Sequence, residues 1–200
     1  MISIIDYGVG NLHSISKSIE NLGYKVAITN NPDKILASDR IVLPGVGAFE
    51  PAMKSLDDNS LIEVISEFAR KGNPVLGICL GLQLFFAYSE EGGRIKGLNI
   101  VAGKVTKIRT SLKLPQIGWN TINKTGNCKL LAKIPDNSYF YFVHSYRVVP
   151  DNKKDIAAKT KYGTEFVSII QHENITGTQF HPEKSSKYGL QLLKNWIKLC

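Results

Sequence analysis

The sequence predicts an α/β fold: a three-layer sandwich around a mixed, mostly parallel central sheet with flavodoxin-like topology. Short apolar runs alternate with helical periodicity in the first half of the chain, and short β-rich runs follow one another from about Val101. The composition is that of a globular protein, with 43% hydrophobic and 21% charged residues. The sequence shows no internal repeat or long linker, so we expect one domain over residues 1–200.

The first half predicts parallel βαβ units, whose ligand sites lie at the carboxyl ends of the strands. Apolar residues recur at helical spacing from Leu12 to Leu22, and Gly23 ends that helix. A second helix is stopped by the Gly-Asn-Pro sequence at 72–74. In order, the predicted elements are strand 2–5, helix 12–22, strand 24–28, strand 40–43, helix 61–71 and strand 75–78.

The second half is β-rich and predicts mixed or antiparallel extensions of the same sheet. Glycine, asparagine, aspartate and proline separate its apolar runs. Leu190, Leu193 and Ile197 then predict a final amphipathic helix. The predicted strands of this half are 104–108, 138–143, 155–160, 166–170 and 174–179.

The charge pattern argues against nucleic acid as a partner. The net charge is +8, but the lysines are scattered, and basic and aromatic residues do not interleave as in RNA-binding signatures. A basic surface that faces an acidic protein, or a phosphorylated substrate on that protein, explains the excess better. The N-terminus lacks a basic leader, and no apolar stretch reaches the ~18 residues of a membrane span. We therefore expect a cytoplasmic protein that does not enter a membrane.

The cysteines and histidines predict no disulfide framework, no metal site and no cofactor. Cys79, Cys128 and Cys200 are an odd number at wide spacing, and the four histidines lack ligand spacing. What needs explanation is a single cysteine in a special local context.

That cysteine is Cys79, which follows a buried strand and precedes a helix. Glycines at 77 and 81 flank it, which is the nucleophile-elbow pattern with cysteine in place of serine. At a helix N-terminus, free N–H groups favour the thiolate, and the Leu80 N–H would point toward an oxyanion formed on attack. A small apolar cysteine in a tight strand–helix turn explains the pentapeptide equally well.

A histidine and a glutamate two residues apart could serve this cysteine. His181 titrates in the range that a general base needs, and Glu183 could hold its tautomer if Pro182 bends the chain suitably. The pair lies 102 residues beyond Cys79, so only the fold can bring the three together. An isolated histidine in a turn with an exposed glutamate is the alternative.

A glycine-rich loop after the third predicted strand, Gly45-Val46-Gly47, could present backbone N–H groups to an oxyanion or a carboxylate. It lacks the Lys-Ser/Thr ending of a phosphate-binding P-loop.

Six motifs together resemble the class I (triad) glutamine amidotransferases, and within them the branch of glutaminase subunits that serve imidazole glycerol phosphate synthase. They extend over essentially the whole chain and occur in the family's order. The motifs are IIDYGVGNLHS at 4–14, LPGVGAF at 43–49, GICLGLQ at 77–83, IGWN at 117–120, YFVHSYRV at 141–148 and GTQFHPEKS at 177–185.

The resemblance implies a role for each matching residue. Cys79 would attack the glutamine side-chain amide to give a thioester and ammonia, with His181 as base and acid and Glu183 as its orienting group. The remaining implied residues fall into two sets. Oxyanion or substrate contacts would come from Gly45, Val46, Gly47, Leu80, Gln83, Ser145 and Tyr146, and the partner face from Trp119, Asn120, Tyr141 and Lys184.

The resemblance also implies a heterodimer with a (β/α)₈-barrel cyclase, which would use the ammonia to make imidazole glycerol phosphate in histidine biosynthesis. Gln116 and Ile117 depart from the family, which usually has histidine and methionine there. A paralogous glutaminase for sugar amidation in surface-glycan biosynthesis therefore stays open. Two further alternatives are a cysteine-elbow chaperone or stress protein and a non-catalytic interaction subunit.

Overall fold

A computed structural model describes residues 1–126 and 128–199. In chain order, its strands are β1 (Ile2–Ile5), β2 (Val26–Thr29), β3 (Arg40–Leu43), β4 (Val75–Ile78), β5 (Phe86–Ser89), β6 (Ile95–Lys96), β7 (Val101–Lys107), β8 (Gln116–Thr121), β9 (Asn123–Lys124), β10 (Tyr139–His144), β11 (Tyr146–Pro150), β12 (Ile156–Tyr162), β13 (Thr164–His172) and β14 (Ile175–Thr178). The helices are α1 (Leu12–Glu20), α2 (Pro32–Leu36), α3 (Phe49–Asp58), α4 (Leu61–Arg70), α5 (Leu80–Leu84) and α6 (Ser186–Leu199). Short 3₁₀ turns lie at Lys129–Leu131, Lys153–Asp155 and Pro182–Lys184.

The central sheet has eight strands in the order β2-β1-β3-β4-β14-β13-β12-β9. The pairs from β2 through β14 are parallel, and those from β14 to β9 are antiparallel. The predicted mixed sheet is therefore confirmed. Its first four strands have the 2-1-3-4 order of a flavodoxin-like sheet.

Helices cover both faces of this sheet, as predicted for three layers. Successive residues of a strand point to opposite faces, so Ile4 and Ile5 belong to different clusters of buried side chains. The cluster with Ile4 contains side chains of α1 and α6, including the fully buried Trp196. The cluster with Ile5 contains side chains of α2, α3 and α4, including Phe68.

The prediction that every β-rich run extends the central sheet is wrong for 104–108 and 138–143. The first lies in β7, which belongs to a four-stranded sheet of order β11-β7-β5-β6, and the second lies in β10, which pairs with β8 alone. The reason is that the two runs bury their apolar sides against opposite faces of the central sheet. Val105 of β7 joins the cluster beside α3 and α4, whereas Phe142 of β10 joins the cluster beside α1 and α6.

Several elements escaped the sequence analysis, and some boundaries moved. Helices α2 and α3 and strands β5, β6, β8, β9 and β11 were not predicted, and β2 begins at Val26 rather than residue 24. Helix α3 begins at Phe49 without a side-chain cap, and Pro51 stands in its first turn, so the usual polar start signal is missing. No helix among the described residues is both long and apolar enough to cross a membrane.

Candidate active site

Cys79 sits between β4 and α5 in a backbone conformation that residues other than glycine rarely adopt, with φ 55° and ψ −107°. Two glycines make this turn possible. A β-carbon at Gly81 would lie 1.9 Å from the carbonyl oxygen of Leu43, and one at Gly77 would lie 2.5 Å from the ring of Phe85. The N–H of Cys79 also donates to the carbonyl of Thr178 at 2.7 Å. Packing on both sides therefore holds the cysteine at the tip of the elbow.

Cys79 is 6% exposed and lines a cleft of about 260 Å³. Val143 O and Gln179 Nε2 each lie 3.8 Å from the sulfur. His181 lines the same cleft, so the fold brings the cysteine and the distant histidine together.

Strand pairing is what closes the gap of 102 residues. β14 runs parallel to β4 with Thr178 opposite Ile78, so the segments that follow both strands leave the same edge of the sheet. His181 Nδ1 lies 2.9 Å from Glu183 Oε1, and the glutamate side chain is fully buried. The chain turns between them because Pro182 begins a short 3₁₀ turn.

The ionisation of His181 depends on its two neighbours. Burial by itself lowers the pKa of His181, but the Cys79 sulfur and the Glu183 carboxylate outweigh burial and raise the pKa from 6.5 to about 10. The buried Nε2 lies on the cysteine side but makes no hydrogen bond of ordinary geometry. At neutral pH the ring therefore holds a second proton, which it could give to a leaving amine.

The predicted glycine loop packs directly on the elbow. A β-carbon at Gly45 would lie 2.7 Å from the backbone nitrogen of Gly81, so only glycine allows this approach. Val46 and Gly47 line the cleft together with Leu80. Tyr7, which the sequence analysis missed, anchors the loop: its hydroxyl donates to the carbonyl of Pro44 at 2.6 Å. Burial, with a smaller contribution from Cys79, raises the pKa of Tyr7, so the phenol remains a donor.

The three predicted substrate contacts, Gln83, Ser145 and Tyr146, also line the cleft. Gln83 is 4% exposed, and its Nε2 donates to the carbonyl of Tyr146 at 3.2 Å and to Gln179 Oε1 at 3.1 Å. Both N–H groups of its amide are therefore used in hydrogen bonds within the protein.

Glu91 is a cleft residue that the sequence analysis missed. It is half-buried on the turn between β5 and β6, and its Oε2 accepts the N–H of Phe49 at 3.0 Å. The structure places a carboxylate beside Tyr146, where burial and then Glu91 raise the pKa of the tyrosine. No motif surrounds Glu91, so nothing in the local sequence distinguishes it from the exposed Glu90.

Three of the four residues predicted for a partner face lie together: Trp119 on β8, Tyr141 on β10 and Lys184 in the 3₁₀ turn Pro182–Lys184. Trp119 is 52% exposed, its ring centroid lies 6.1 Å from that of Tyr141, and Lys184 Nζ lies 6.0 Å from the Tyr141 ring. Asn120 points to the other side of β8 and donates to the carbonyl of Lys161 at 2.9 Å. Ile117 and Tyr139, exposed by 64% and 60%, extend this apolar surface.

The other cysteines lie outside the cleft. Cys128 is a free, half-buried thiol whose sulfur contacts Gln171 Oε1, and Cys200 lies outside the described residues. Among residues 1–126 and 128–199, no group of three or more histidine, cysteine, aspartate and glutamate side chains is placed to hold a metal ion.

The family model and similar known proteins point to the same family. The family model of class-I glutamine amidotransferases matches residues 3–199. The chain is 48% identical over 198 residues to the imidazole glycerol phosphate synthase subunit HisH of Moorella thermoacetica, covering 99% of this chain and 94% of that protein. It is 51% identical over 199 residues to the protein of the same name from Methanocaldococcus jannaschii, covering 100% of both.

Solved structures show the same fold at low identity. The structure of PurLQS from Thermotoga maritima matches with a TM-score of 0.77 at 14% identity, over 98% of this chain and 96% of that one. A structure described as a glutamine amidotransferase matches with a TM-score of 0.78 at 11% identity, over 99% and 97% of the two chains.

Proposed function

The chain belongs to the class I glutamine amidotransferases, and we propose that it hydrolyses glutamine to glutamate and ammonia for a cyclase partner in histidine biosynthesis. The observation that carries the proposal is that Cys79 and His181 line one cleft, while the buried Glu183 carboxylate is hydrogen-bonded to His181. A strained nucleophile elbow and a carboxylate-bound imidazole at a shared cleft are the parts that acyl transfer from an amide requires.

The reaction begins when the sulfur of Cys79 attacks the carbon of the glutamine carboxamide. The carbonyl oxygen becomes an oxyanion, which we assign to the N–H of Leu80 and to the loop from Gly45 to Gly47, whose residues Val46 and Gly47 line the cleft. His181 donates its proton to the nitrogen, the carbon–nitrogen bond breaks, and ammonia leaves behind a γ-glutamyl thioester. Water then attacks the thioester, His181 takes a proton from it, and glutamate leaves as the sulfur is released.

The cleft contains a group suited to each end of glutamine. Glu91 is a carboxylate at the rim, and we assign to it the α-ammonium group of the substrate. Gln83, Ser145 and Tyr146 line the same cleft, and we assign to them the contacts with the side-chain amide and the backbone of the bound glutamine. No cofactor is needed, because the nucleophile, the acid and the oxyanion donors all belong to the chain.

The partner docks, in this proposal, on the exposed surface formed by Trp119, Tyr141 and Lys184. The two relatives described above are named as subunits of a synthase, which implies a second subunit that carries the synthase chemistry. Ammonia released into water would be protonated and would lose its nucleophilicity, so it must pass directly to that subunit, a (β/α)₈ barrel in this proposal. Asn120, which points away from this surface, would support it through its bond to Lys161.

The sequence departs from the family at Gln116 and Ile117, which lie on β8, the strand that also carries Trp119. Gln116 is buried, whereas Ile117 faces outward beside Trp119, so the change alters the shape of the docking surface rather than the reacting groups. The identity to the histidine-pathway relatives favours that pathway over sugar amidation. The proposal carries with it the predicted cytoplasmic location and heterodimer.

Glutamate release tests the proposal, measured with the chain mixed with a histidine-pathway cyclase subunit, with and without the cyclase's ribonucleotide substrate. We expect strong stimulation that disappears in Cys79→Ala and persists in Cys128→Ala, which removes a thiol outside the cleft. Retained activity in folded Cys79→Ala would contradict the thioester mechanism. If the cyclase does not stimulate a protein whose Cys79 still reacts with a glutamine-analogue electrophile, the acceptor belongs to the sugar-amidating alternative instead.

A further inference from the structure

Two buried glutamines form a chain of amides that ends at the nucleophile. Gln83 Nε2 donates to Gln179 Oε1 at 3.1 Å, and Gln179 Nε2 lies 3.8 Å from the sulfur of Cys79. Gln179 is fully buried, between the end of β14 and His181. The mechanism described above gives Gln179 no role, although its amide touches the reacting atom.

A backbone carbonyl fixes the direction of this chain. Glutamine oxygen and nitrogen atoms can be exchanged in a structure, but the carbonyl of Tyr146 can only accept, so the Gln83 atom 3.2 Å from it must be the nitrogen. The same nitrogen faces Gln179, which must therefore present its oxygen to Gln83. The Gln179 nitrogen is left to point at Cys79.

The anchor carbonyl is itself held firmly. His144 Nδ1 lies 2.8 Å from Tyr146 O and must donate to it, so this carbonyl receives two hydrogen bonds. Burial lowers the pKa of His144 to about 4, which keeps the ring neutral and its tautomer fixed at neutral pH. Gln83 and His144 are both buried, so either donor would lose a hydrogen bond by leaving this carbonyl, and water could not replace it.

Besides His181, the sulfur thus has one further neighbour suited to each of its ionisation states. Val143 O can accept a proton from the thiol, whereas the Gln179 N–H can donate only to lone pairs and binds the thiolate more strongly. The two groups lie at the same distance from the sulfur, so the balance between them depends on charge.

We propose that Gln179 is a positioning residue of the glutaminase reaction, which directs an N–H at the Cys79 thiolate and is itself oriented by Gln83. The chemical consequence for glutamine hydrolysis rests on the proposed function, but the hydrogen bond to the sulfur does not. Gln83 accordingly has a structural task besides substrate contact. Removal of the donor makes the thiolate harder to form and leaves the sulfur free to rotate away from the substrate.

Alkylation of Cys79 by iodoacetamide tests this without any partner or substrate. The rate is measured between about pH 5 and pH 10 by mass spectrometry of the peptide that contains Cys79, which separates it from the other thiols. In Gln179→Met, a variant of similar size, we expect the rate at pH 7 to fall about tenfold and the midpoint of the profile to rise by about one pH unit. The control is Gln171→Met, which removes the Cys128 contact of another glutamine and should leave the profile unchanged.

An unchanged profile in folded Gln179→Met would overturn the proposal. If that variant does not fold, Gln83→Met is the test, because loss of the Gln83 amide that orients Gln179 should raise the midpoint of the alkylation profile in the same way. An unchanged midpoint in folded Gln83→Met would also overturn the proposal. With the cyclase present, kcat of Gln179→Met should fall about tenfold with KM within about threefold of the wild type. A wild-type chain that releases no glutamate would refute the proposed function, while the alkylation profile would still decide the role of Gln179.

Discussion

Glu91→Gln is the most informative test of substrate recognition, because it changes the charge and little else. The glutamine side chain has the same size and can still accept the N–H of Phe49 through its oxygen. The half-buried setting of Glu91 is therefore preserved, and only its ability to pair with an ammonium group is lost. We expect weaker binding of glutamine with the chemistry at Cys79 intact.

The magnitude follows from the setting of the carboxylate. At about 4 Å and an effective dielectric constant of about 20, the attraction to an ammonium is about 4 kcal/mol before desolvation. A hydrogen bond to a charged group contributes about 1.5–3 kcal/mol net, and the part-open cleft favours the middle of that range. A loss of about 2–2.5 kcal/mol corresponds to a rise in KM of about 30- to 70-fold. We expect kcat to change by less than about threefold, since Glu91 does not touch the reacting atoms.

Steady-state glutamate release with the cyclase subunit measures both constants. Glu90→Gln is the matched control, because the adjacent carboxylate is exposed and pairs with Lys104 at 3.0 Å outside the cleft. If KM of Glu91→Gln stays within about threefold of this control, Glu91 does not bind the α-ammonium group. A large fall in kcat with unchanged KM would contradict the assignment equally, because it would place Glu91 in the chemical step.

Two further predictions concern stability, measured by urea unfolding. Gly81→Ala should destabilise the fold by more than about 3 kcal/mol, because the new carbon would lie 1.9 Å from the Leu43 oxygen. The control is Gly126→Ala, whose new carbon meets nothing within 4 Å. Equal stabilities of the two variants would contradict this packing. The second prediction follows from burial of neutral His144, whose pKa is about 4 when folded and 6.5 when unfolded: stability should fall by up to about 3 kcal/mol as pH drops from 6.5 to 4. His181 is protonated in both states over that window, so His144→Leu should be less acid-sensitive than wild type, and an identical pH dependence would refute the assignment.

The nucleophile elbow could be predicted because its determinants are local. Gly77, Cys79 and Gly81 follow one another within five residues, a spacing that can be read from the sequence even though the approach that requires Gly81 is to Leu43 of the neighbouring β3. His181 and Glu183 are also close in sequence. Their distance from Cys79 along the chain, however, hides the pairing of β4 with β14, and only the family resemblance suggested that the three meet.

Glu91 and Tyr7 could not be found in the same way, since their roles come from contacts distant in sequence. Tyr7 meets Pro44 and Glu91 meets Phe49, about 40 residues away in each case, and no spacing within a single motif predicts either contact. The two smaller sheets were missed for a related reason. Alternation of buried and exposed residues shows that a strand has an apolar side, but it does not show which face of the central sheet will cover it.

The architecture also explains why the reacting groups hold together as one unit. The glycine loop follows β3, the elbow follows β4 and His181 follows β14, and these three strands are adjacent and parallel. Their carboxyl ends therefore hold, side by side, the groups that we propose as the oxyanion donors, the nucleophile and the acid. The segments that follow these strands are joined by close backbone contacts. Gly81 packs against Leu43 O, and the Cys79 N–H donates to Thr178 O. A substitution that shifts any one of the three strands should consequently lower kcat even when it lies outside the cleft, because it displaces one reacting group relative to the other two.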